Sequence, residues 1–132
     1  IDLQAFAVGD HCSPRIINYT NTVLQGLLAR TKSVPIEFRD SLDIRIEIEG
    51  YADYRGAGGL IGLFYAKKDY DYVYTNREGT RVPFRWRAGR SDQITNEQIA
   101  FLRAACSCDI TQEILNQNGL QVPVENFTFY AI

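Results

Sequence analysis

Asp69–Arg87 reads DYDYVYTNREGTRVPFRWR, and the pattern is that of a β-hairpin. Tyr70, Tyr72, Tyr74, Phe84 and Trp86 are strong strand formers at alternate positions on either side of a turn. Asn76-Arg77-Glu78-Gly79-Thr80 fits a type I turn closed by a left-handed glycine, which makes a G1 bulge. Glycine reaches that backbone conformation without a Cβ clash. The bulge fixes the pairing: Tyr74 with Val82, Tyr72 with Phe84, Tyr70 with Trp86. On the other face it sets Val73 against Pro83, Asp71 against Arg85 and Asp69 against Arg87. A loop of even length would instead place tyrosines beside arginines, gaining cation–π contacts of about 0.5–1 kcal/mol. It would also set aspartates against Phe84 or Trp86 and leave both faces mixed. The bulged register collects aromatic and opposite-charge pairs, each worth roughly 0.2–1 kcal/mol, and leaves one apolar face to bury.

Working outward, Leu42-Asp43-Ile44-Arg45-Ile46-Glu47-Ile48-Glu49 alternates strictly and predicts a strand with one apolar and one charged face. A sheet with one wet face is expected to be antiparallel. Leu60–Tyr65 predicts another strand. Ser91-Asp92-Gln93 reads as a polar loop, and Thr95 with Gln98 forms a capping box opening a helix that carries Ile99, Phe101, Leu102, Ala105 and Cys106. Asp109 is expected to cap a short third helix bearing Ile110, Ile114 and Leu115, with Gly119 stopping it. Val122–Ile132 predicts a final extended segment. Upstream, Ser13-Pro14 opens a helix running to Arg30 on Ile16, Ile17, Thr20, Val23, Leu24, Leu27 and Leu28. Residues 1–12 and Val34-Pro35-Ile36 read as extended. The expected fold is a single α+β domain over residues 1–132. It has a mainly antiparallel sheet, an N-terminal helix, and a helical pair before a C-terminal strand.

The chain has 132 residues, with 45% hydrophobic and 23% charged content, ordinary for one globular domain able to bury a core. No apolar run approaches the roughly 20 residues needed to span a bilayer, so a soluble protein, virion-borne or cytoplasmic, is expected. The formal charge of −2 argues against generic nucleic-acid coating, which relies on a basic surplus. Ile1 in first place and the lack of any Met suggest a processed or trimmed start. Asn18-Tyr19-Thr20 and Asn126-Phe127-Thr128 match the glycan acceptor pattern, which also arises often by chance.

Each chemical signal has a plainer structural reading beside it. Gly56-Ala57-Gly58-Gly59 has a Gly-x-Gly spacing, but a phosphate cradle needs a buried strand before it and a helix after it. A flexible connection fits better. His11, Cys12, Cys106 and Cys108 are weak candidate zinc ligands, with Cys-x-Cys tighter than the usual knuckle. Three cysteines are too few for a disulfide framework, so reduced thiols are expected. Asp43, Glu47, Glu49 and Asp53 could supply paired carboxylates for glycosidic chemistry. A strand face with both signs of charge is more often solvated, or a salt-bridge face between subunits. Arg55, Arg81 and Arg90 are the freer arginines of a local basic cluster, able to grip phosphate or carboxylate.

Asn76–Gly79 with Arg85-Trp86-Arg87 resembles a short stretch of the barnase-type microbial ribonucleases. Ala88 stands where that family's general-base Glu would follow, and no His lies near the C-terminus, so the resemblance implies no ribonuclease activity. The reading favoured by the sequence is a non-enzymatic assembly subunit, without cofactor, that self-associates or docks on other protein subunits in a phage, viral or other particle. One alternative is a single-stranded nucleic-acid binder stacking bases on Tyr70, Tyr72, Tyr74 and Trp86. Another is a small metalloprotein or hydrolase using His11 and the cysteines.

Overall fold

The computed structural model describes residues 2–5, 12, 14–52 and 60–132. In chain order these form strand β1 (Asp2–Ala5), helix α1 (Pro14–Lys32), a 3-10 turn (Ile36–Ser41), and strands β2 (Ile46–Gly50), β3 (Leu60–Tyr65), β4 (Tyr70–Thr75), β5 (Arg81–Trp86) and β6 (Ser91–Thr95). Helix α2 (Asn96–Gln117), a second 3-10 turn (Val124–Asn126) and strand β7 (Phe127–Ala131) follow. The fold is α+β.

The hairpin adopts the bulged register throughout: Tyr70, Tyr72 and Tyr74 pair with Trp86, Phe84 and Val82, and Asp71 pairs with Arg85. Gly79 takes φ 82°, its N–H donating to the Asn76 carbonyl at 3.0 Å. The Asn76 side-chain oxygen accepts from the Glu78 and Thr80 N–H groups at 3.1 and 2.9 Å. The turn is therefore held by a side chain as well as by backbone.

The ribbon continues beyond the hairpin. Ala66 donates to Arg90 O and accepts from Gly89 N, and β3 pairs antiparallel with β6. At this bend the outer pair folds back, bringing the Phe64 ring 5.8 Å from Tyr70 and 5.5 Å from Trp86. Ser91–Gln93, expected as a loop, is thus part of a strand. Its exposed polar side chains hide a segment whose backbone alone is needed for pairing.

The five-stranded sheet has the order β1-β2-β7-β4-β5. It is mixed: β4–β5 is antiparallel, while β1–β2, β2–β7 and β4–β7 are parallel. The wet face of β2 had suggested antiparallel neighbours, and parallel sheets are usually covered on both sides. Here α2 packs on β1, β2 and β7, and α1 packs on α2 and β1, so both helices share one face, and among the described residues no element packs on the other. Strand β2 is also shorter than its alternation. Asn126 Nδ2 donates to the Ile44 carbonyl at 3.0 Å, ending the pairing just before Ile46 meets Phe127.

Helix α2 runs unbroken where two helices were expected. Thr95 and Gln98 form the capping box, and Asp109, instead of capping a new helix, turns its carboxylate to Lys68. Gly119, at φ 75°, ends the helix, with Leu120 N donating to Leu115 O and Gly119 N to Asn116 O, a Schellman arrangement. Ala100 to Cys108 are all buried, so this stretch of α2 is surrounded on every side. Phe101 is its hub, with ring centroids 5.0 Å from Tyr74 and Phe84, 5.6 Å from Tyr72 and 5.7 Å from Phe129. Truncating one such buried ring to Ala costs about 3–5 kcal/mol.

Candidate functional site

The open face of the sheet is assembled from alternate residues of four adjacent strands. On β2, Ile46, Ile48 and Gly50 point inward, leaving Glu47 and Glu49 outside; on β7, Thr128 and Tyr130 are outside. Asp71, Val73 and Thr75 of β4 and Arg81, Pro83 and Arg85 of β5 complete it. Register aligns these in rows across the strands. Glu49 pairs with Tyr130, Tyr130 with Thr75, and Thr75 with Arg81. The neighbouring pairs are Glu47 with Thr128 and Val73 with Pro83.

The charges on this face are segregated. Its β2 side is acidic, and Asp2 of β1 lies in register with Glu47. The β5 side carries arginines. Among the described residues Glu47 and Arg81 make no side-chain hydrogen bond or ion pair. Glu49 accepts from the Tyr51 hydroxyl. Arg85 is already engaged by Asp71 at 3.0 Å and Arg45 by Asp43 at 3.0 Å. Between Glu47 and Glu49 on one side and Arg81 on the other lie the uncharged Thr128, Tyr130, Val73 and Thr75, with Asp71 farther along β4 beside Arg85; Val73 is 38% exposed.

The residues singled out from the sequence separate into groups. Tyr70, Tyr74 and Trp86 are 8%, 2% and 5% exposed, and Tyr72 packs against Phe101 and Phe129. These rings are core groups, and their faces are not available for stacking bases. Arg90 lies over Trp86 at 3.9 Å from the ring centroid and reaches Asp92 at 3.3 Å. Among the described binding candidates, Arg81 alone stands on the open sheet face. Arg55, His11, Asp53 and the Gly56–Gly59 run lie outside the described residues.

The cysteine reading needs correction. Cys12 and Cys106 form a disulfide, joining the entry of α1 to the middle of α2, so neither supplies a thiolate for metal. The bond sits in a small cluster with Ile16 and Ile110, beside the buried hydrogen bond from Thr20 to Ser107 at 3.1 Å. Cys108 is free and buried. Two residues along a helix is a rotation of about 200°, which turns Cys108 toward the sheet while Cys106 faces α1. Nothing in the spacing of an odd number of cysteines announced that bond. Among the described residues no group of three His, Cys, Asp or Glu is arranged to hold a metal.

Lys68 is a polar hub against the hairpin's inner side, where the Tyr74 hydroxyl also donates to Glu97 at 2.8 Å. The Lys68 ammonium donates to both Asp109 oxygens at 2.7 Å and lies 5.0 Å from the centre of the Tyr70 ring. Burial works against its charge, but the Asp109 carboxylate outweighs this and raises the Lys68 pKa. Burial raises Tyr70 and Tyr72, with Lys68 pulling the other way. Burial pushes the Cys108 thiol up to about 12.

Two adjoining hollows, about 250 and 300 Å³, lie between the first 3-10 turn and the end of α2, sharing Arg39, Asp40, Gly119 and Leu120. Arg39 there donates to the Val34 and Lys32 carbonyls at 3.0 and 3.1 Å, closing the C-terminal end of α1. Ile36 and Phe38 above the hollows are 76% and 58% exposed. Among the described residues no helix is long and apolar enough to cross a membrane. No known protein family, curated protein or solved structure matches this chain.

Proposed function

We propose that this chain is a non-enzymatic structural subunit that self-associates within a larger assembly, such as a particle or a homo-oligomer. The observation that supports this reading is the face of the five-stranded sheet that no described element covers, where Thr128, Tyr130, Val73 and Thr75 lie between Glu47 and Glu49 on one side and Arg81 on the other. Side chains there are held by rigid strands, so they present a fixed surface at little entropic cost on docking. The Cys12–Cys106 bond supports an oxidising setting, an extracellular space, a periplasm or a particle surface, over the cytosol.

Light scattering across micromolar concentrations tests the proposal. The expected result is a mass above 15.0 kDa that rises with concentration. A monomer throughout would overturn it.

A further inference from the structure

We propose that the partner on the open sheet face is a second copy of this chain, docked about a two-fold axis parallel to the strands. In that arrangement β2 of each copy lies over β5 of the other. The inference rests on the self-association reading above and specifies its surface and symmetry.

The argument comes from the order of charges across the sheet. Acidic Glu47 and Glu49 stand on one side and Arg81 on the other, with Thr128, Tyr130, Val73 and Thr75 between. Three interstrand steps separate β2 from β5, about 14 Å. Turning a second copy face down about an axis along the strands reverses their order and keeps the height of each row. The row Glu49–Tyr130–Thr75–Arg81 then meets its own reverse. Glu49 faces Arg81 of the other copy, and Tyr130 faces Thr75, in both directions at once. Such self-complementarity is what an isologous interface requires. The other in-plane two-fold, across the strands, would set β2 on β2 and acid on acid.

Distances and competing contacts agree. Aligned sheets pack about 10 Å apart, a gap that an extended Glu and an extended Arg close between them. Arg45 and Arg85 stand beside Asp43 and Asp71 within the chain, whereas Glu49 meets only the uncharged Tyr51 hydroxyl, so among the described residues Glu47, Glu49 and Arg81 have no ion-pair partner. Growth of the sheet sideways through β5 is blunted by Pro83 in the middle of that edge strand, since proline has no N–H to offer.

The test is sedimentation of three samples at low salt: the wild type, Glu47→Lys/Glu49→Lys, and Arg81→Glu, with thermal unfolding as a check that these exposed changes leave the fold intact. The wild type is expected to dimerise, with a Kd that rises about tenfold or more on going to high salt. Each variant alone opposes like charges and is expected to be monomeric where the wild type dimerises. An equimolar mixture of the two variants restores opposite charges on both flanks and is expected to dimerise again. A wild-type monomer would remove both this inference and the self-association reading. Wild-type dimers matched by both variants would leave self-association standing and overturn this surface. Monomeric variants that fail to rescue each other would overturn the two-fold arrangement.

Discussion

Gly50 on β2 and Ala100 on α2 meet backbone to backbone: a Cβ on Gly50 would run into the Ala100 carbonyl oxygen. This contact sets how closely the central helix lies on the sheet, and the small side chains of Ala104 and Ala105, both buried, continue the approach. Gly50→Ala is expected to destabilise the fold by about 3 kcal/mol or more, since rigid backbone must move to admit the methyl group. Denaturant unfolding of the variant measures it, and a change within about 0.5 kcal/mol would show that the helix sits elsewhere.

The disulfide between Cys12 and Cys106 closes a loop with a sequence separation of 94. Removing that constraint from the unfolded chain is expected to lower stability by about 2–4 kcal/mol. Cys12→Ser/Cys106→Ser, unfolded in denaturant beside the oxidised wild type, checks the value. The reduced wild type should follow the double variant.

Cys108 should resist thiol reagents in the folded protein and react on unfolding, because its thiol is buried and stays protonated up to about 12. The same shift gives an alkaline prediction. Above pH 9.0, the ordinary thiol value, the unfolded chain loses this proton while the folded chain keeps it. Stability contributed by the group is therefore full below pH 9.0 and declines toward pH 12, by about 1.4 kcal/mol per pH unit. Lys68 acts in the same sense: its raised pKa makes its stabilisation present below 10.5 and lost as pH climbs through the folded value. Cys108→Ala should flatten the slope just above pH 9.0 and leave the part due to Lys68, Tyr70 and Tyr72, whose pKa values are also raised, at higher pH.

Gly79→Ala should cost about 1–2 kcal/mol, the penalty for a Cβ in the left-handed region. Asn76→Ala removes the acceptor shared by the Glu78 and Thr80 N–H groups and should cost about 1 kcal/mol. Thermal unfolding of both reports on the hairpin. An unchanged Gly79→Ala would mean that the turn is not built as described.

What the sequence disclosed was governed by neighbours. The hairpin register was legible because Gly79 allows one turn and Asp71, Asp69, Arg85 and Arg87 favour the same pairing. The ends of α2 were legible from Thr95, Gln98 and Gly119. Its continuity through Asp109 was hidden, because that carboxylate answers to Lys68, far away in the chain. The disulfide and the parallel pairs of β2 and β4 with β7 join distant segments with no local signature. The open face therefore showed only in part. The charged side of β2 was visible as a possible subunit contact, whereas the row from Glu49 to Arg81 exists only once β7 lies between β2 and β4.

That position of β7 also has a consequence in time. The last described strand in chain order is the middle strand of the sheet, so until it is synthesised the β1–β2 and β4–β5 pairs have no strand to join them. The β4–β5 ribbon can close early because its contacts are local, but its free β4 edge and that of β2 stay bare until Phe127–Ala131 arrives. During that interval each edge is a template for a neighbouring chain's strand. The final strand is thus both the keystone of the native sheet and the step that ends its period of greatest exposure to misassembly.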